Sequence, residues 1–255
     1  MNVAVLLLHG FTSSLDTVNG LVPHLEKAGI VYRMPTLRGH GQSPEALRGI
    51  VWRDWVEDAR EALLDLEREG KPIVIVGLSM GGLVALNLAA EHPGSVAGVV
   101  TVAACLEFRH PLIPYLGLLS ATVKDWPSSP DYADPALVQY CNNYSHFPLK
   151  SFASLYAFRE VVKEVLPYLK APVLVIQSTQ DPVVRLDAAE QIRQKSGSAF
   201  CQVRWFQVSR HEMMRDVERD EVFAEIMAFV GRVERSDFEP GGSLPGEDAV
   251  DAVLG

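Results

Sequence analysis

Six short apolar runs, at positions 3–8, 30–35, 73–76, 96–103, 173–177 and 202–208, constrain the fold of this chain most. They are rich in valine and isoleucine and mostly do not alternate with polar residues. Such runs suit strands buried on both faces, as in a parallel sheet. Parallel neighbours cannot be joined by a tight hairpin, so each pair needs a crossover. The sequence supplies the crossovers. Over 54–69 the apolar residues Trp55, Val56, Ala59, Ala62, Leu63 and Leu66 recur at three and four, with acids and arginines opposite. Asp54 can cap that helix and Gly70 can close it. Further helical patterns cover 83–90, 187–195 and 218–232. This alternation predicts an α/β fold, a mostly parallel doubly wound sheet with right-handed crossovers.

The segment 106–149 breaks the pattern. It carries Pro111, Pro114, Pro127, Pro130, Pro135 and Pro148 among aromatics and contains no obvious strand. It predicts a small, partly helical cap inserted into a core made of 1–105 and 150–235. The last stretch, 236–255, is rich in glycine, proline and acids and predicts a disordered tail. A net charge of -9 repels phosphate backbones, so no nucleic-acid partner is expected. The run at 3–8 is too short to span a bilayer and has no basic flank or cleavage site. Stable membrane insertion is therefore not expected, and the expected location is the cytoplasm. Cys105, Cys141 and Cys201 are odd in number and far apart, which suits neither a disulfide framework nor a zinc site. No metal is expected.

The chemistry-bearing signal is Gly77-Leu78-Ser79-Met80-Gly81-Gly82, placed between a strand and a helical pattern. A serine on a tight strand-to-helix turn sits in a strained backbone, and its neighbours at minus two and plus two approach too closely to carry a Cβ. The turn lifts the hydroxyl to a helix N-terminus, where developing negative charge is favoured. A serine hydroxyl needs a base. Of seven histidines, His211 falls just after the last strand, at the carboxyl edge where such sheets bind ligands. Asp181 follows the fifth strand on the same edge and can hold the imidazole tautomer. Taken singly, Asp181 could be a turn aspartate and His211 a surface histidine. In the order Ser79, Asp181, His211, each at a strand end, they predict a catalytic triad. The backbone N–H groups of Phe11, in His9-Gly10-Phe11-Thr12, and of Met80 are candidates for an oxyanion hole. His9 suits a structural hydrogen-bonding role, and His40, between Gly39 and Gly41, suits a tight turn.

With those residues in view, the chain resembles the α/β-hydrolase superfamily, and within it the bacterial carboxylesterases and monoacylglycerol lipases. The likeness rests on Leu6-Leu7-Leu8-His9-Gly10-Phe11-Thr12, Arg38-Gly39-His40-Gly41, Asp54-Trp55, the Ser79 motif, Gln180-Asp181-Pro182-Val183-Val184 and Ser209-Arg210-His211. It implies the same triad and the same two oxyanion N–H groups, and no cofactor. Most members begin with extra antiparallel strands. This chain starts almost on its first parallel strand, which implies a shorter sheet at that edge.

The insertion offers Phe108, Leu116, Leu119 and Tyr144, continued by Tyr156, as an apolar substrate pocket. No basic cluster stands there to hold a phosphate or carboxylate. The expected partner is a small neutral ester with a short- to medium-chain acyl group. Thioesters and lactones remain open to the same triad, as does a slow or non-catalytic receptor on the same fold. The oligomeric state is not written in the sequence. With an ordinary histidine as base, activity should fall in acid with a midpoint of roughly 6 to 7.

Overall fold

All six apolar runs become strands of one sheet in the computed structural model, which describes residues 1–238. The strands are β1 (Ala4–Leu8), β2 (Val31–Arg33), β3 (Ile73–Leu78) and β4 (Val96–Val102), then β5 (Asp125–Pro127) and β6 (His146–Pro148) in the insertion, then β7 (Val173–Ser178) and β8 (Cys201–Phe206). In the main sheet the order is β2-β1-β3-β4-β7-β8, and every described pairing is parallel. The helices are α1 (Val22–Lys27), α2 (Trp52–Glu67), α3 (Met80–Glu91), α4 (Leu116–Leu119), α5 (Leu149–Val165), α6 (Asp187–Lys195) and α7 (Arg219–Arg235).

Strand side chains alternate between faces, so one sheet feeds two cores. Leu6, Leu8, Ile73 and Ile75 pack with Trp55 of α2, Leu83 of α3, Phe158 of α5 and Ile192 of α6. Val5, Leu7, Val74 and Val76 pack with Leu25 of α1 and with Phe223, Ile226 and Phe229 of α7. Because both faces are covered, the central strands carry few polar residues, which is why their runs read as nearly unbroken. The chain steps from β1 out to β2, then returns to place β3 on the other side of β1. That reversal opens a crevice at the carboxyl ends of β1 and β3. The loops after both strands meet there.

Several boundaries differ from the sequence pattern. Helix α2 starts two residues early, so Asp54 lies in its first turn; its Oδ2 accepts the Val51 N–H at 2.8 Å. It satisfies a helix-end donor, but from inside the helix. Helix α3 starts at Met80, because Gly81 and Gly82 are helical despite their low propensity. The insertion contains strands after all: β5 and β6 pair antiparallel, with Trp126 opposite Phe147. Prolines at positions 127 and 148 end these three-residue strands, a placement that isolated edges tolerate. Residues 236–238, the start of the expected tail, are described. Ser236 closes α7 in a left-handed conformation, and the Phe238 ring packs against Phe200 and Phe229, centroids 5.0 and 5.5 Å away. The rest of that tail lies outside the described residues. Among the described residues no helix is long and apolar enough to cross a membrane.

Candidate active site

Ser79 sits between β3 and α3 with φ 54° and ψ -111°, a backbone region that non-glycine residues rarely occupy. Its N–H donates to the Val102 carbonyl at 2.8 Å, which ties the turn to β4. The two glycines of the turn have direct steric causes. A Cβ on Gly77 would come under 3.0 Å from the Gly81 carbonyl, and one on Gly81 would meet the Leu8 carbonyl equally closely. The strain therefore persists because β1, β3 and α3 close around it. Met80 is the first residue of α3, and a helix's first N–H groups have no intrahelical partner. Its N–H thus lies beside Ser79 at the open end of α3.

His211 follows β8 and points its ring at both partners. Nε2 lies 3.0 Å from Ser79 Oγ, and Nδ1 lies 2.9 Å from Asp181 Oδ2. Asp181 is 1 % exposed and fully bonded. Its Oδ1 accepts the Val183 and Val184 N–H groups at 2.8 and 3.0 Å, and its Oδ2 also accepts from Gln177 Nε2 at 3.1 Å. Burial pushes the Asp181 carboxyl up, but the facing His211 ring and the two valine N–H groups outweigh it and hold the pKa below its ordinary 3.8. Burial pushes His211 down, but Asp181, and secondarily Glu212, outweigh it and hold the ring above its ordinary 6.5. The pair therefore supports a cationic imidazole, the form a base takes after accepting a proton.

Two acids that the sequence pattern did not single out hold the His211 loop. Asp216, 1 % exposed, accepts the Arg210 N–H at 2.7 Å, the Val217 N–H at 2.9 Å and the Ala133 N–H of the insertion at 3.0 Å. Glu218 accepts the Val208 and Ser209 N–H groups at 3.1 and 2.6 Å. Backbone groups that a loop would leave unpaired are thus satisfied by carboxylates from the next turn.

The loop after β1 packs on Ser79 from the other side; a Cβ on Gly10 would stand 3.4 Å from that of Ser79. His9 is fully buried, with Nδ1 2.9 Å from the Gly10 carbonyl and Nε2 accepting the Leu37 N–H at 3.1 Å. Burial lowers its pKa to about 4, so it stays neutral and structural. His40 behaves alike, lowered by burial to about 3, with Nδ1 3.1 Å from the Leu37 and Arg38 carbonyls. Thr12, with φ 65°, offers its carbonyl to the Tyr144 N–H at 2.8 Å. The insertion is thereby fastened to the loop that carries Phe11.

A cavity of about 580 Å³ opens over Ser79 and His211. Phe11, Phe108, Phe147, Phe152 and Leu155 form an apolar wall, and Ser128, Ser129, Asp131, Asn143 and Glu212 a polar one. Of the five pocket residues expected from the sequence, Phe108 alone lines it. Leu116 is buried in the core at 3 % exposure, and Leu119 packs against that core. The Tyr144 hydroxyl donates to the Gly39 carbonyl and accepts the Gln42 N–H, both at 2.9 Å, so this ring pins the insertion to the β2 loop. Tyr156 carries the Arg159 guanidinium on its face at 3.7 Å. Cys105 lines the cavity beside Ser79, but burial pushes its thiol up to about 12, so it remains a thiol.

Fold and site define a serine hydrolase of the α/β-hydrolase superfamily. The chain belongs to the hydrolase family described as serine aminopeptidase S33, which it matches over residues 1–218. It is similar to a carboxylesterase of Bacillus subtilis (strain 168), 26 % identical over 232 residues, covering 91 % of this chain and 93 % of that one. It is 27 % identical over 239 residues to a thermostable monoacylglycerol lipase of Bacillus sp. (strain H-257), covering 90 % and 91 %. A solved structure from work on LipS and LipT, two metagenome-derived lipolytic enzymes, superposes with a TM-score of 0.86 at 27 % identity, over 91 % of this chain and 94 % of that one.

Proposed function

We propose that the protein hydrolyses neutral carboxylic esters through an acyl-enzyme on Ser79, with His211 as base and Asp181 as its orienting acid. The observation that carries this is the unbroken line from Asp181 Oδ2 through the His211 ring to Ser79 Oγ, ending beneath a cavity with an apolar wall. In the first half-reaction His211 Nε2 takes the Ser79 proton as Oγ attacks the ester carbonyl. The carbonyl electrons move to oxygen, and the Phe11 and Met80 N–H groups hold that oxyanion. When it collapses, the C–O bond to the alcohol breaks and His211 returns its proton to the alkoxide. In the second half-reaction His211 deprotonates water, which attacks the acyl carbon and frees Ser79 and the acid. The protein relatives named as carboxylesterase and monoacylglycerol lipase support the ester class. The apolar wall supports a short- to medium-chain acyl group, and neither wall presents a free cation for an anionic one.

The test is rapid-quench mass spectrometry with a p-nitrophenyl ester. A burst of nitrophenol together with an acyl adduct on the peptide that contains Ser79 is expected. Nitrophenol release with the adduct on another residue would overturn the assignment.

A further inference from the structure

Two loops must meet over Ser79 for the proposed chemistry, and they leave the sheet at strands that are far apart. The Phe11 loop follows β1 and the His211 loop follows β8. In the order β2-β1-β3-β4-β7-β8 those strands stand four spacings apart, about 19 Å at the usual separation of paired strands. The sheet fixes where each loop begins. It does not fix how far each leans back over the elbow at the end of β3.

Three consecutive residues of the insertion tie the two loops together. Asn142 Nδ2 donates to Asp16 Oδ2 at 3.1 Å, Asn143 Nδ2 to Glu212 Oε1 at 2.8 Å, and the Tyr144 N–H to the Thr12 carbonyl at 2.8 Å. Glu212 is the residue after His211, and Thr12 is the residue after Phe11. Arg215 of the His211 loop closes the figure, with Nη1 2.6 Å from Asp16 Oδ2. Of the two side-chain ties from the insertion, the Asn143 bond is the sheltered one: Glu212 is 8 % exposed, whereas Asn142 is exposed. We propose that Asn143 is a positioning residue. It holds the neighbour of the base while Tyr144 holds the neighbour of the proposed oxyanion donor, so the strip 142–144 is a strut that sets the span between the two. The proposal rests on the ester-hydrolase reading and goes beyond it: the insertion acts on the chemical step as well as covering the cavity. Asn143 also lines that cavity, so the competing role is a direct substrate contact.

A displacement of 1 Å in a reacting group can cost about a hundredfold in rate, and with the other ties left in place the loss of the Asn143 bond should cost about tenfold. The test measures kcat and KM at pH 8 for p-nitrophenyl acetate, butyrate and octanoate, with the thermal transition of each protein. Two variants are compared with the wild type. Asn143→Leu breaks the bond, and Asn143→Asp/Glu212→Gln rebuilds it with donor and acceptor exchanged. In Asn143→Leu kcat is expected to fall about tenfold by the same factor for all three esters, with KM within about twofold, the pattern of a contribution made only in the transition state. The exchanged pair is expected to recover most of that loss. Because both of its changes are nearly isosteric, it decides the matter if Asn143→Leu does not fold. A merely structural bond would lower the thermal transition and leave kcat near the wild-type value, which would overturn the proposal. A loss that varies with acyl length or sits in KM would mark a substrate contact and overturn it as well. So would a folded exchanged pair still about tenfold slow. Each of those results leaves the ester reading standing, whereas no turnover of any ester by the wild type would overturn both.

Discussion

Replacing Asp181 with asparagine exchanges one carboxylate oxygen for an NH2 group at nearly constant volume. The carboxylate now serves four donors: Val183 and Val184 N–H on Oδ1, and His211 Nδ1 and Gln177 Nε2 on Oδ2. An amide has one acceptor oxygen. If that oxygen faced His211, the NH2 would confront two fixed backbone donors, each stranded at about 1–3 kcal/mol. If it faces the backbone, the NH2 confronts His211 and Gln177. Gln177 can turn its amide over, and the imidazole can move its proton to Nε2. The second arrangement therefore wins. It leaves Nε2 as a donor 3.0 Å from Ser79 Oγ, where an acceptor is needed. Fixing the wrong tautomer in a serine triad costs about 10⁴ in kcat, which is about 5.4 kcal/mol of transition-state stabilisation. The assay is kcat for p-nitrophenyl butyrate at pH 8, with the thermal transition measured alongside to establish folding. A folded variant within about tenfold of wild type would refute the role of Asp181 and the tautomer argument with it.

Other outcomes follow from the same geometry. Because His211, as the proposed base, must be neutral to act and its pKa is held above 6.5 by Asp181, kcat/KM should rise with pH through a midpoint above that value; a pH–rate profile with full activity at pH 5 would contradict this. In Gly77→Ala the new Cβ meets the Gly81 carbonyl, so a loss of about 3 kcal/mol and a Tm lower by roughly 6–12 °C are expected by calorimetry. Asp216→Ala strands buried N–H groups of Arg210, Val217 and Ala133, so stability should drop by about 2–4 kcal/mol in urea titration. Its kcat should fall more than its KM rises, because the loop it loosens carries His211. Tyr144→Phe removes two hydrogen bonds between the insertion and the β2 loop and should cost about 1–2 kcal/mol by the same titration.

The positions of Ser79, Asp181 and His211 could be inferred from sequence because each follows a strand: β3 and β7 are buried throughout and left nearly unbroken apolar runs, and the half-buried edge strand β8 still reads as the last such run before a helical pattern. Strand ends give the carboxyl edge, and the elbow glycines mark one point on it. The insertion was opaque for the opposite reason. Its strands are three residues long and end in prolines, so no period could form. Aromatic residues there divide between cavity, core and clasp according to tertiary contacts, which is why Phe108 lines the cavity and Tyr144 hydrogen-bonds to the Gly39 and Gln42 backbone instead. Asn143 and Glu212 are 69 residues apart, and neither sits in a local pattern. Asp216 likewise acts on a backbone N–H 83 residues away. Pairings of that kind are set by how the insertion lies on the core.

The central claim is that Ser79 turns over acyl esters, and hydrolysis of p-nitrophenyl esters of increasing acyl length by wild type and Ser79→Ala tests it most directly. Multiple turnovers with an optimum at short to medium chains, abolished in the folded variant, are predicted. Equal turnover by Ser79→Ala, or none by a folded wild type at any length, would contradict the account.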